Sequence, residues 1–411
     1  MQIIWRIASA ALFLSLLATP VVLVAQGCEE QDGNADSSVP NPDVGAARAC
    51  GDVGLYNWAA SVQQVAGLGD AGEMSTLFGV WGTSEKAVWA VGTHGTVLHY
   101  DGAQWIRQQS PTTQTLTSVW GTTEKDVWAV GYGGTVIHYD GTSWKDHSPP
   151  LAVFHTADGG PPTGDAATQI LRNLWGVWVT GKVSTEALYA VGDNGTVIYF
   201  DGILKLWSDK IPVTRAGVVV KVQDQLTGVW GTGANRIFIV GNFGTILEGS
   251  KAGLAVQDSQ GVTKDLNAVW GRNNNDVYAV GTSGTILHRN SSGWKDISSG
   301  APKQVLRGVW GPSNNSSYTF VIGWDGTLLR MRGGPGFSED AEFDPYYCII
   351  PGRRLEAIWG TLVPITMFDA GTVTPVVGEA GPPDMSPVDL GIPQVPLVWV
   401  VGASGMVVVG P

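Results

Sequence analysis

The sequence predicts an all-β fold, a seven-bladed β-propeller of four-stranded antiparallel blades, on three observations. Gly supplies 56 and Trp 18 of the 411 residues while only 15% are charged, a composition that disfavours helix interiors and suits short strands joined by tight turns. One pattern of about 40 residues recurs seven times along the chain, the mark of a repeat architecture. Within it the apolar residues follow strand spacing, and no helical period appears.

Each unit begins with a strand carrying a Trp-Gly pair, at Trp81, Trp120, Trp175, Trp230, Trp270, Trp310 and Trp359, commonly with Leu four residues earlier, as in "LFGVWG", "LTSVWG" and "LNAVWG". The second strand places an aromatic three residues before a glycine, at Trp89, Trp128, Tyr189, Phe238, Tyr278, Phe320 and Trp399. A Gly-x-x-Gly frame follows at Gly92, Gly131, Gly192, Gly241, Gly281, Gly323 and Gly402, with Thr next in six copies. A third strand of the "TVLHYDG" kind comes next, and in several copies a fourth opens on Trp105, Trp144, Trp207 or Trp294. β-Branched and aromatic runs punctuated by Gly, Asp and Asn are strands joined by hairpins. One such sheet cannot bury both faces, so the seven pack on one another and close radially.

The last copy stops after its third strand at "GMVVVGP", and residues 52–66, "DVGLYNWAASVQQVA", are placed to supply the missing strand and close the ring. Insertions fall at about 146–170 and 362–396; the second, rich in Pro, Gly and Asp, is expected as an irregular loop between the first two strands of blade seven. The propeller then takes residues 49–411.

Ahead of it, Arg6 precedes an apolar run from Ile7 to Ala25. This has the form of a signal peptide over residues 1–27, with an uncleaved membrane anchor as the alternative. Residues 28–48 are a polar Pro/Ser/Asp/Gly tether. The "LVAQGC" that joins the two resembles a bacterial lipoprotein cleavage site, which implies a lipid on Cys28 and a place in the cell envelope, at the outer membrane. With Cys28 so used, Cys50 and Cys348 remain as a disulfide pair across the closing seam. The net charge is −12, and no run of Lys or Arg could neutralise phosphates, which argues against nucleic acid.

The copies of "VWGxxxxDVWAVGxxGTxLHYDGxxW" resemble the BNR/Asp-box and YVTN-like propeller repeats, WD-like units of secreted bacterial proteins, over about residues 77–411. The resemblance implies the fold; function varies widely on it. The enzymes among these families are sialidase-like hydrolases whose Asp box reads S-x-D-x-G-x-T-W. Here "HYDGAQW" and "HYDGTSW" lack the Ser, and Arg215, Arg236, Arg272 and Arg307 are scattered among the blades.

His99, His138 and His288 occupy one position of the third strand in three blades, too far apart to share a metal, so they are expected as scaffold. Asp101, Asp140 and Asp201 sit where a carboxylate bonds its own turn. The Trp-Gly tryptophans are expected to pack between blades, the alternative being an aromatic platform around the channel. No cofactor motif, metal site or nucleophile signature occurs. His147, His155, Asp158 and Asp165 of the first insertion match no metal spacing. What varies is the pair inside each frame, from Thr93-His94 to Ala403-Ser404, and turn chemistry gives no reason for Tyr132, Phe243 or Trp324. The candidate ligand-binding residues are therefore His94, Tyr132, Asp193, Asn194, Phe243, Trp324 and Asp325, with the three aromatic rings expected to project toward water.

The function expected is a monomeric, envelope-anchored binding or scaffold module that recognises a protein or glycan through its surface loops. It needs no catalytic residue and no cofactor. The alternatives are a propeller hydrolase or lyase acting on a polysaccharide, or an assembly factor for another envelope protein. Acids, bases and arginines converging on the channel would favour the enzyme; hydroxyls, amides and aromatics would favour binding.

Overall fold

The computed structural model describes residues 62–64, 75–149, 172–181, 187–203, 205–209, 211–312, 318–332, 342–343, 347–348, 352–364 and 394–410. All belong to the compact unit that begins at Cys50. They form seven antiparallel sheets, one per repeat. The inner strands are Leu77–Ser84, Leu116–Thr123, Leu174–Thr180, Leu226–Gly233, Leu266–Asn273, Leu306–Trp310 and Leu355–Pro364. Each touches the next, and the seventh touches the first, so the ring is closed.

The leucine that opens each inner strand is fully buried, and so is the aromatic of every second strand. Between blades the contact is a tryptophan laid over glycine: the Trp81 ring covers Gly121, Trp178 covers Gly231, Trp230 covers Gly271, Trp270 covers Gly311, Trp310 covers Gly360 and Trp359 covers Gly82. The pair is thus an inter-blade joint and not a channel platform. A Cβ on Gly121 would stand 2.7 Å from the Trp81 ring and 2.5 Å from the Asp126 carbonyl oxygen, closer than carbon can approach. Blade three corrects the repeat alignment. Its joint tryptophan is Trp178, whereas Trp175 follows Leu174 directly and faces the channel. Val179 stands there in place of glycine, and Trp120, the ring of the preceding blade, is the one joint tryptophan left half-buried.

The ring closes as the ends of the sequence require. Val62–Gln64 pairs antiparallel with Met406–Gly410, Val62 opposite Val408, and becomes the outer strand of blade seven. Other blades also differ from expectation, blade six by a fifth strand, since both Glu342–Phe343 and Tyr347–Cys348 pair with its third. In blade seven the second strand, Gln394–Gly402, stays in register with the first out to Pro364 opposite Gln394, so regular pairing takes both ends of the segment assigned to a loop at 362–396. In blade two, Asp146 ends the outer strand and the His147 N–H donates to the Val136 carbonyl, so the first insertion starts later than 146. Blade four has six strands. The hairpin Val213–Arg215 with Val218–Val219, from the segment linking it to blade three, adds in parallel to outer strand Gly253–Val256. Cys28, Cys50, His155, Asp158 and Asp165 lie outside the described residues; Cys348 lies in the short strand Tyr347–Cys348 that pairs with the third strand of blade six.

Candidate functional site

The frames share one face with the connections between blades. The first N–H inside each frame donates to the carbonyl just before its own inner strand, as Thr93 to Thr76, Tyr132 to Thr115 and Asn242 to Gln225. The second residue inside is left-handed throughout, His94, Gly133, Asn194, Phe243, Ser283, Asp325 and Ser404, all with φ between 53° and 64°. Asn, Asp and Gly take that conformation readily, whereas a bulky ring does so at a cost. The threonine after the frame ties it down, Thr135, Thr196, Thr285 and Thr327 each donating a hydroxyl to the carbonyl three residues back.

A second set of contacts joins neighbouring blades on this face. The residue before an inner strand turns its side chain to the frame of the preceding blade. The Asn173 amide oxygen accepts from Gly133 N–H (3.1 Å), Asp265 from Phe243 N–H (3.0 Å), and Gln225 donates to Asp193 (2.9 Å). Arg354 lays its guanidinium 4.3 Å from the centre of the Trp324 ring.

The face opens into a central cavity of about 420 Å³. One residue of each inner strand, directly after its leucine, lines it: Phe78, Thr117, Trp175, Thr227, Asn267, Arg307 and Glu356. Most of these also link blades. The Thr117 hydroxyl donates to the Leu174 carbonyl (2.7 Å), Thr227 to Leu266 (2.6 Å) and Asn267 to Leu306 (2.8 Å). Arg307 pairs with Glu356 at 2.8 Å, so the buried carboxylate is neutralised within the wall. The mouth over blades two to five adds Tyr132, Gln225, Asn242 and Asp265. Tyr132 stands edge-on to Trp175, ring centres 5.5 Å apart, and the indole N–H of Trp175 donates to Asp193 at 2.7 Å. Gln225 bridges Asp193 and Asn242. The lining is aliphatic, aromatic, amide and hydroxyl, with the carboxylate of Asp265 at the mouth and the Arg307–Glu356 pair closed within the wall.

The seven candidate residues separate on this geometry. Tyr132 lines the cavity, its ring folded onto Trp175 and not turned to water. Asp193 sits behind it as the anchor of Trp175 and Gln225. Trp324 is covered by Arg354. Of the three rings expected to project, Phe243 does, 68% exposed. His94, Asn194 and Asp325 are exposed frame tips on blades one, three and six, with Asp325 accepting from Gly352 N–H and the Asn194 carbonyl from Arg172. Gln225, Asn242 and Asp265 were not among the candidates, and Trp175 entered only as one of the Trp-Gly tryptophans, for which the channel was the alternative. The residue preceding each inner strand was the available signal for Gln225 and Asp265.

The scaffold residues behave as expected. Asp101 and Asp140 accept N–H groups two and three residues on, and Asp201 accepts from Ile203. Backbone donors from Gln104 and Ala103 hold the Asp101 carboxyl below the usual carboxylate range. His99, His138 and His288 stack on Trp89, Trp128 and Tyr278 with ring centres 3.9 to 4.4 Å apart. Two of the histidines find a carboxylate that the pattern reading overlooked: His138 bonds Asp126 at 2.7 Å and His288 bonds Asp276 at 2.9 Å. Burial alone would push the Asp276 carboxyl up, but hydrogen bonds from His288 and Arg272 and the charge of Arg272 bring it below its ordinary value. Among the described residues no three His, Cys, Asp or Glu side chains gather as a metal site.

No family model matches the chain, and none of the curated proteins does. Solved structures do match. YCF48 from Cyanidioschyzon merolae is 14% identical over 85% of this chain and 98% of its own, with a TM-score of 0.53. A structure of YCF48 bound to D1 peptide is 12% identical over 85% and 95%, also at 0.53. U3-55K is 10% identical over 70% and 85%, with a TM-score of 0.51. At these identities the likeness is one of fold, and together with seven sheets in a closed ring it makes this chain a seven-bladed β-propeller.

Proposed function

We propose that the chain is a binding module that takes an extended segment of a protein partner at the channel mouth over blades two to five. The observation that carries this is the lining. Tyr132 and Trp175 offer apolar faces, Gln225, Asn242 and Asn267 offer amides able to meet a peptide backbone, and Arg307 and Glu356 are spent on each other. A mouth of this kind orients a ligand by a few polar groups on an aromatic floor. The YCF48 propeller bound to D1 peptide supports the reading as a precedent on the same fold.

The propeller repeats are taken as the BNR/YVTN type, and the module is taken to be exported and held at a bacterial envelope through a lipidated Cys28, with the Cys50–Cys348 disulfide closing its seam. The resemblance of "LVAQGC" to a lipoprotein site and the cysteine count support those parts. The test is affinity capture from envelope extract with full-length protein, run beside a glycan array, with a Tyr132→Ser/Phe243→Ser protein as comparison. A partner protein retained by wild type and lost by the variant is expected. Equal retention by both, or a response only on the array, overturns the reading. Metabolic lipid labelling with Cys28→Ala tests the anchor separately.

A further inference from the structure

Blades two and five each bury a carboxylate at the start of the second strand. In blade two, Asp126 accepts from the Trp128 indole N–H at 3.2 Å, from His138 at 2.7 Å and from the Thr122 hydroxyl. In blade five, Asp276 serves His288 and Arg272 in the same way. Strand register identifies the equivalent residue of blade one: Thr123 lies opposite Asp126, Asn273 opposite Asp276, and Ser84 opposite Ala87. Alanine carries no acceptor.

Everything that the carboxylate would serve is nonetheless kept. Trp89 and His99 stack at 4.2 Å, as Trp128 and His138 do at 3.9 Å. Trp89 is 1% exposed. The Nε1 of Trp89 and the Nε2 of His99 are both buried and both without a hydrogen-bond partner. A buried polar group left unpaired is a costly arrangement that calls for a water, an ion or a function. Here two such groups stand where the sister blades hold one acceptor. Thr83 occupies the place of Thr122.

We propose that blade one binds a formate-sized carboxylate anion between Trp89 Nε1, His99 Nε2 and the Thr83 hydroxyl, supplying from solution the acceptor that Asp126 and Asp276 supply covalently. The size follows from the residues. Ala87 keeps the Cβ of aspartate, so the group it lacks is a carboxylate, and formate is that group bearing one hydrogen. The indole can only donate, and the imidazole donates from Nε2 in its charged form or in one neutral tautomer. Asp101, in the turn after the third strand, and Glu124, from the first turn of blade two, also face His99. Burial disfavours the charged imidazole and sets the balance, with the two carboxylates opposing it, so the neutral tautomer that carries its proton on Nε2 is the donor.

Thermal unfolding of the full-length protein in sodium formate, against sodium chloride at equal ionic strength, tests the proposal, with the histidine NMR signals followed in parallel. A saturable rise in melting temperature with formate is expected, accompanied by a shift of the His99 resonances. The Ala87→Asp protein should melt higher than wild type without formate and lose the formate response. If that variant folds poorly, Asp126→Ala gives the converse reading, since it should gain a second formate response in blade two. Equal effects of formate and chloride, or a formate response that survives in Ala87→Asp, overturn the site.

Discussion

Replacing Phe243 with Asn separates what the rim costs the fold from what it offers a partner. Phe243 is left-handed at φ 57° and 68% exposed, and its equivalent in blade three is Asn194 at φ 53°. A side chain other than Gly, Asn or Asp held in that region costs about 1–2 kcal/mol. Against this stands the apolar area that the ring buries, roughly a third of the 1.5–3 kcal/mol for a fully buried aromatic, or about 0.5–1 kcal/mol. The Asn side chain keeps part of it. Phe243→Asn should therefore stabilise the propeller by about 0.5–1 kcal/mol. Spread over a unit of this size that is a melting shift of only about 1 °C, so the midpoint in denaturant is the better measure. Affinity for a captured partner should fall in the same protein, because exposed aromatics are the residues that anchor interfaces. Loss of more than about 1 kcal/mol of stability would refute the reasoning, by showing that the ring serves the fold.

Three further outcomes follow from the blade joints and the buried rings. Arg307→Ala should destabilise by about 2–3 kcal/mol in urea, because the buried Glu356 carboxylate loses its pair, whereas Arg307→Met with Glu356→Leu should recover most of that. Gly121→Ala should cost about 1–3 kcal/mol, since the new methyl meets both the Trp81 ring and the Asp126 carbonyl. Stability should fall on both sides of neutrality in melts taken across pH. Burial lowers the His99 and His147 pKa values below 6.5, so the unfolded chain takes up protons that the folded one refuses as pH drops through 6.5; burial pushes Tyr189 and Tyr278 up to about 12, so stability is lost again as pH rises above 10.

How much was legible depended on whether a residue answers to its own strand or to a neighbouring blade. The buried second-strand aromatics, the frame glycines and the Asp turns repeat because each blade meets the same local demand, and all were visible by lining up the copies. Trp175 was misplaced because "LWGVW" satisfies the Trp-Gly pattern three residues too early, while the fully buried Leu174 is what sets the register. The cavity residues were invisible for a related reason. They take six different identities in seven copies, and their position one residue past a buried leucine has meaning only once seven strands converge. Asp126 and Asp276 did leave a trace, an acid at the head of "DVWAVG" and "DVYAVG" in two of the three copies that carry the third-strand histidine. Seeing it required comparing two positions together instead of each in turn. Gln225 and Asp265 act on the frame of the preceding blade, a contact that no single repeat contains.

The pairing of Val62–Gln64 with the final strand also bears on how such a chain acquires its structure. A domain whose first and last described strands are partners carries its longest loop-closure cost in the seam, and that cost cannot be met until the strand Met406–Gly410 has been made. Blades one to six can form from local hairpins as they emerge, but cooperativity around the circle arrives with Met406–Gly410. A chain shortened by five residues at its carboxyl end would lose Met406–Gly410 or most of it, and with it the anchor for the amino-terminal strand. Its neighbours would keep their own hydrogen bonds, so such a protein would be expected to keep most of its β-sheet signal while its hydrogen exchange quickens from blade seven outward in both directions.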